Sequence, residues 1–261
     1  MAGGYHDYAF LPLYPMLVRT IATPFPGAVG AVSVVLSHLL LALASVLVFQ
    51  LGRRYLGDHR AALDCFLLAI SPFSTIFSMA YAEGLFLVLV LGAFLAAERD
   101  QRAVAGVLIG LASVTRLPGA LVMVPLAMIL LRRDGWRPRV SQAGCCSAGL
   151  GTADGDAAMG AALGPIQIVL LLTLCASVFL LVYARVDQLR LEYALVPILL
   201  LGATFASGNL ESVGRYATVA FPLFWLMAGR RGPSWRWVWP VSSAGLLAAF
   251  ALLSFGGRWV P

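Results

Sequence analysis

The sequence predicts an all-α fold, a polytopic transmembrane bundle of about eight or nine helices. Of its 261 residues, 61% are hydrophobic and only 11% are charged, and the mean hydropathy is +0.89. A soluble domain is about 45–50% apolar and about 25% charged, so this chain has too few polar residues to coat a water-facing surface. Since a crossing takes roughly 20 residues, spans and short loops fill the length. We therefore expect a single transmembrane domain over residues 1–261.

Nine charge-free apolar runs mark the predicted helices, because backbone groups in lipid must be hydrogen-bonded within the segment itself. The runs cover residues 26–51, 65–81, 84–97, 103–115, 117–131, 161–184, 193–207, 216–229 and 237–255. Residues 1–20 lack the basic start and apolar run of a cleavable signal peptide, so we expect the first helix to be retained.

Residues 140–164 form an irregular or degraded segment that interrupts this pattern. They contain Asp154 and Asp156 among many Gly, Ala and Ser residues, which makes a poor crossing. Either a weak helix crosses there, or the stretch is the product of a deletion or frameshift, or it is a loop that has lost its partner. The sequence leaves these alternatives open.

The arginines predict the sidedness of the bundle. All 18 residues counted as Lys or Arg are arginines, and 14 of them lie in alternate loops, which the positive-inside rule places in the cytoplasm. They are Arg53, Arg54, Arg60, Arg99, Arg102, Arg132, Arg133, Arg137, Arg139, Arg185, Arg190, Arg230, Arg231 and Arg236. The net charge of +6 is therefore a topology signal, and we expect no nucleic-acid partner.

The four cysteines lie in apolar or small-residue stretches, without metal-ligand spacing and without nearby histidines. They are Cys65, Cys145, Cys146 and Cys175. We expect neither a disulfide nor a metal site from them, and the sequence indicates no cofactor.

Few ionisable groups are left on the non-cytoplasmic side. They are His6, Asp7, Arg19, Glu83, Arg116, Glu211, Arg215 and Arg258. A charge within an apolar span costs about 2.5–3.5 kcal/mol at the helix centre, so such a residue usually faces a cavity or a partner. This face is therefore where we expect a functional site.

The N-terminal stretch presents Asp7 between His6 and Tyr8, in a segment rich in aromatic residues and proline. Asp7 is a candidate general base that takes a proton from an acceptor hydroxyl, and its neighbours His6 and Tyr8 are candidate substrate contacts. The alternative is an interfacial aromatic belt with no catalytic role.

Glu83 follows an apolar run that Pro72 interrupts, so we expect irregular backbone near the outer surface. As a second carboxylate on this face, Glu83 is the other catalytic candidate. It is equally interpretable as an acidic residue that stabilises the N-terminus of the helix beginning at Gly84, and the two roles are compatible.

Arg116 and Arg215 are isolated cations between apolar runs, and Tyr216 follows the second of them. A guanidinium offers a planar fork of donors suited to phosphate oxygens, which predicts that these residues bind a phosphate together with Tyr216 and Glu211. The alternative is that the two arginines form salt bridges with Glu83 and Glu211, or extend to the membrane interface.

In order along the chain, these segments resemble the PIG-V type mannosyltransferases of the GT-C superfamily, which include the second GPI mannosyltransferase and bacterial relatives. The resemblance rests on Gly4-Tyr5 with Ala9 to Pro15, Ser71-Pro72, Tyr81 to Phe86, Thr115-Arg116 with Pro118-Gly119, Gly214 to Tyr216, Phe221 to Phe224 and Gly257 to Val260.

The resemblance implies that the helical bundle is of the GT-C type. It also implies a multi-pass enzyme of a bacterial plasma membrane, whose active face is non-cytoplasmic. Its donor would be a polyprenyl-phosphate-linked mannose or related sugar, and its partners a lipid or glycan acceptor and membrane lipids. Members of the family carry a Trp-Asp motif just upstream of the Gly-Tyr pair, so the principal catalytic Asp would lie before Met1. The competing hypotheses are a transporter or lipid flippase, for which Pro-broken helices are also expected, and an inactive truncated paralogue.

Overall fold

The computed structural model describes residues 12–25, 27–72, 74–116, 118–133, 190–206, 213–229 and 235–255, and within these ranges every regular element is helical. The all-α prediction is confirmed for this part of the chain. In order, the helices are α1 Leu13–Ala22, α2 Val29–Leu56, α3 Asp58–Ala69, a 3-10 helix Ser74–Ser78, α4 Glu83–Glu98, α5 Arg102–Thr115, α6 Pro118–Arg133, α7 Leu191–Ala206, α8 Val213–Val219, α9 Pro222–Gly229 and α10 Trp235–Phe255.

Helix α4 is the centre of the bundle. It is apolar on every side, and nearly all of its side chains are buried, as expected for a core helix. It packs against α2, α5 and α6, while α3 and α9 pack on each other along the side of α2. The core is therefore built around a helix with no polar face. The only charged residues of α4 are Glu83 and Glu98, at its two ends.

The outer surfaces of the surrounding helices are apolar as well. Large exposed side chains include Val35 and Leu39 on α2, Val107 on α5, and Val241 and Leu252 on α10. Soluble monomers rarely expose extended apolar surfaces. Among the described helices, α2 with 28 residues is the one that is long and apolar enough by itself to cross a membrane.

The ends of α2, α4 and α6 and the beginning of α7 meet at one end of the bundle, which we call the arginine-rich end. The contacts that define it are Tyr55–Glu98, Arg99–Gln50, Arg132–Glu192 and Arg190–Glu98. The opposite end carries the beginnings of α4 and α6, the end of α5, and α8.

Three predicted boundaries are wrong, each at a proline or a helix start. The run 65–81 is not one helix, because α3 begins at Asp58 and ends at Ala69, ahead of Pro72, and a 3-10 turn follows. The irregular backbone expected at Pro72 is confirmed. The run 216–229 is divided into α8 and α9 just before Pro222. The first predicted run begins at residue 26, whereas α1 already covers Leu13–Ala22 and includes Pro15 in its first turn, where a proline is tolerated. The predicted helix 161–184 and the segment 140–164 lie outside the described residues.

Gly119 allows the tight turn between α5 and α6. A Cβ atom at this position would lie 2.6 Å from the backbone carbon of Ala112 and the backbone nitrogen of Ser113. Real Cβ atoms do not approach backbone this closely, so the start of α6 can rest on α5 only because residue 119 has no side chain. This turn presents Arg116 at the opposite end of the bundle.

Candidate functional site at the end opposite the arginines

Glu83 and Arg116 reach the same place from two neighbouring helices. Glu83 is the first residue of α4, where the helix dipole favours a negative charge, and Arg116 follows the last residue of α5 in an extended conformation. The Arg116 amide donates to the carbonyl of Ala112, and its own carbonyl accepts from the Gly119 amide. The backbone on both sides of Arg116 is therefore held.

The two side chains form a buried ion pair. Arg116 Nη2 lies 2.6 Å from Glu83 Oε1, and the Glu83 and Arg116 side chains are only 2% and 14% exposed. Glu83 Oε2 is also buried and has no hydrogen-bond partner within the described ranges. Since a buried charge is strongly disfavoured without a counter-charge, this pair organises the end of the bundle.

Arg215 lies beside this pair but is held in another way. Its Cζ atom is 4.7 Å from the centre of the Tyr81 ring, while the Cζ atom of Arg116 is 5.9 Å from the ring of Tyr216. Arg215 on α8 thus contacts a tyrosine in the segment that leads into α4, and Arg116 at the end of α5 contacts a tyrosine on α8. A cation above an aromatic face is attracted to the ring quadrupole, so these contacts dock α8 against α4 and α5.

Arg215 has no carboxylate partner in the part of the chain that the structure describes. The residue is half-buried, and its Nε atom is fully buried without a hydrogen-bond acceptor. Its backbone carbonyl accepts from the Thr218 hydroxyl, which fixes the first turn of α8 around it. Among the described residues this half-buried guanidinium has no counter-ion, and an anionic ligand placed there would offset the cost of burying its charge.

Tyr14 and Ser37 connect α1 and α2 next to the ion pair. The Tyr14 hydroxyl and Ser37 Oγ are 3.1 Å apart, and both residues are buried. Neither residue was a predicted site residue, although Ser33 and Ser37 mark one polar stripe on an otherwise apolar helix.

A comparison of the sequence with known protein families places the chain in one of them. The family model described as dolichyl-phosphate-mannose-protein mannosyltransferase matches residues 12–152 of the 261. The chain belongs to this family. No curated protein and no solved structure matches it.

Membership in this mannosyltransferase family confirms the predicted resemblance at the level of a GT-C-like mannosyltransferase, and the narrower PIG-V assignment stays a prediction. The matched region runs from α1 past the end of α6. It contains Glu83 and Arg116, whereas Arg215 and Tyr216 lie beyond it. Geometry alone therefore associates these last two residues with the family's matched region.

The structure brings together half of the predicted site residues. Glu83, Arg116, Arg215 and Tyr216 all lie at this end and are connected by the ion pair and the ring contacts. The predicted residues His6, Asp7, Tyr8 and Glu211 lie outside the described residues. One of the alternatives left open by the sequence, a salt bridge between Arg116 and Glu83, is the arrangement that the structure shows.

Besides Glu83 and Glu192, Asp64 on α3 is a buried carboxyl, and the sequence analysis did not single it out. Asp64 is completely buried, and the Trp225 indole Nε1 is the hydrogen-bond donor beside its carboxyl group. Its Oδ2 atom and Trp225 Nε1 each lie 3.4 Å from the position that a Cβ atom on Gly52 would occupy. Within the described ranges, no group of three or more His, Cys, Asp or Glu side chains has the arrangement of a metal site.

Proposed function

We propose that the chain is a polytopic membrane glycosyltransferase of the PIG-V type. It transfers mannose, or a related sugar, from a polyprenyl-phosphate donor to a hydroxyl of a lipid or glycan acceptor. The family supports the reaction class, since its description names a phosphate-linked polyprenol mannose as donor. The observation that carries the proposal is Arg215, a half-buried guanidinium without a carboxylate partner in the described residues, beside the Glu83–Arg116 pair.

We place the site on the non-cytoplasmic face of a bacterial plasma membrane. The apolar outer surfaces of α2, α5 and α10 suit contact with lipid, and the arginines cluster at one end of the bundle. The positive-inside rule assigns the arginine-rich end to the cytoplasm. Glu83, Arg116 and Arg215 then face the other side.

The two arginines have different roles in this proposal. Arg116 is already neutralised by Glu83 at 2.6 Å, so its main task is to hold that carboxylate and the end of α5 in place. No carboxylate of the described residues neutralises Arg215, and its guanidinium is a planar fork that matches phosphate oxygens. Arg215 is therefore the principal phosphate-binding residue, with Tyr216 and Arg116 beside it and with Glu211 as a further contact to substrate.

The reaction is a single displacement that inverts the anomeric carbon. The acceptor oxygen forms a bond to that carbon while the bond to the phosphate oxygen breaks, and the polyprenyl phosphate leaves with the electron pair. Negative charge grows on the leaving phosphate, and a guanidinium positioned there stabilises the transition state more than the bound donor. Asp7 takes the proton of the acceptor hydroxyl, with His6 and Tyr8 as substrate contacts, and Glu83 fixes the geometry of the phosphate side.

The test uses the full chain in nanodiscs with a radiolabelled polyprenyl-phosphate-mannose donor. Three acceptor arms are compared: extracted membrane lipids, a soluble glycan and a Ser/Thr-containing peptide. Removing one donor to a developing anion typically lowers turnover by about 100- to 1000-fold, so we expect a loss of that order for Arg215→Ala. The matched control is Arg53→Ala, since Arg53 is an exposed arginine at the other end of the bundle.

Full transfer by the Arg215→Ala variant contradicts the assignment of the phosphate site. Labelling of the peptide instead of the lipid or glycan would keep the reaction class and change the acceptor. Movement of the donor lipid between leaflets without any sugar transfer would favour a flippase, the alternative that the sequence left open.

A further inference from the structure

Tyr81 occupies an unusual place beside the site. It lies in the short turn between the 3-10 helix and α4, two residues before Glu83, and its amide donates to the carbonyl of Met79 at 2.8 Å. The ring is half-buried, with the Arg215 guanidinium carbon 4.7 Å from its centre. Among the described residues, the Tyr81 hydroxyl has no hydrogen-bond partner. The ring face, rather than the hydroxyl, makes its contact.

The two arginines of the site have different partners, a carboxylate for Arg116 and an aromatic ring for Arg215. Glu83 orients Arg116 and at the same time neutralises its charge. Tyr81 is uncharged, so it restricts the orientation of Arg215 and leaves the positive charge intact. The contact with the ring uses none of the guanidinium N–H donors, so the Nη groups of Arg215 remain available, and a phosphate can accept two hydrogen bonds from such a fork.

Without such a contact, Arg215 would lose more conformational freedom when it binds an anion. Long side chains carry about 2 kcal/mol of rotamer entropy, and a binding site gains affinity when that freedom is already restricted. The backbone of Arg215 is fixed by the first turn of α8, and Tyr81 is the described side chain that contacts its guanidinium.

We propose that Tyr81 is a positioning residue, which holds the Arg215 guanidinium over its ring so that the free edge receives the phosphate of the donor. This inference rests on the proposed function, since it takes the anion at Arg215 to be the donor phosphate. Tyr81 is not one of the residues to which the proposed function gives a role in binding the phosphate or the acceptor. The tyrosine hydroxyl has no part in it.

The experiment measures the dissociation constant of a short-chain polyprenyl-phosphate-mannose for the full chain in nanodiscs. Tyr81→Phe keeps the ring, and we expect affinity within about 2-fold of the wild type. Tyr81→Leu removes the ring, and we expect the dissociation constant to rise by about 3- to 30-fold, the range given by a partly buried cation–π contact. Tyr81→Met is a second ring-free variant in case the leucine variant does not fold.

A double-mutant cycle separates positioning from a general structural role. In the Arg215→Gln background there is no cation to position, so Tyr81→Leu should cause no further loss of affinity. An equal loss in both backgrounds, or a loss in Tyr81→Phe as large as that in Tyr81→Leu, overturns the inference. Normal donor binding by Arg215→Gln alone contradicts the proposed phosphate site, whereas weak binding by Arg215→Gln with normal binding by Tyr81→Leu contradicts only the role of Tyr81.

Discussion

Neutralising Glu83 alone should destabilise the protein more than neutralising Glu83 and Arg116 together. The two side chains are 2.6 Å apart and only 2% and 14% exposed, so solvent screens their interaction weakly. Removing one partner of such a pair leaves an uncompensated buried charge, at a cost of about 3–5 kcal/mol. We expect a loss of free energy of unfolding in that range for Glu83→Gln, and for Arg116→Gln a loss of similar size.

The measurement is unfolding of the full chain in mixed micelles with increasing SDS, followed by circular dichroism. The double variant Glu83→Gln with Arg116→Gln should cost less than Glu83→Gln alone, and therefore much less than the sum of the single variants, since neither charge is then left alone. The matched control is the pair Arg53–Asp58, which is 3.6 Å apart with side chains 55% and 78% exposed. Its disruption should cost at most about 1 kcal/mol.

Two results would refute this reasoning. Additive single-variant losses would show that the two residues stabilise the fold separately and not as a pair. A loss below about 1 kcal/mol for both single variants would show that water or lipid headgroups reach the charges, as they reach the exposed control pair.

Three further predictions follow from other contacts. Gly119→Ala places a Cβ atom 2.6 Å from the backbone of α5 and should destabilise the protein by about 1–3 kcal/mol. The control Gly106→Ala has open space around it and should be neutral or slightly stabilising. Both effects are measured from SDS unfolding curves, and equal effects would contradict the close approach at Gly119. Tyr55→Phe removes a 2.6 Å hydrogen bond to a carboxylate and should cost about 1.5 kcal/mol in the same assay, while an unchanged curve would show that the bond contributes nothing net. In a cysteine-free background, an impermeant maleimide applied to intact cells should label exposed Thr23→Cys but label exposed Asp100→Cys only after permeabilisation, and the reverse pattern would invert the proposed topology.

The helices themselves could be predicted from local sequence. Charge-free apolar runs predicted α2, α4, α5, α6, α7 and α10 to within a few residues, because each is bounded by charged or polar residues that end the apolar stretch. The interruption at Pro72 was predicted, but the break at Pro222 was less accessible. An apolar run continues on both sides of Pro222, and composition does not register the missing hydrogen bond.

The sequence by itself determined the helical class, the clustering of arginines in alternate loops and the type of residue available for a site, because composition, charge spacing and side-chain chemistry are local properties. Only the tertiary structure decided which charges meet. It separated two arginines that look equivalent in the sequence, since Arg116 is neutralised by Glu83 while Arg215 rests on the ring of Tyr81. Partners 33 residues apart along the chain are brought to 2.6 Å by the packing of α4 on α5, and no local pattern in either helix specifies that distance.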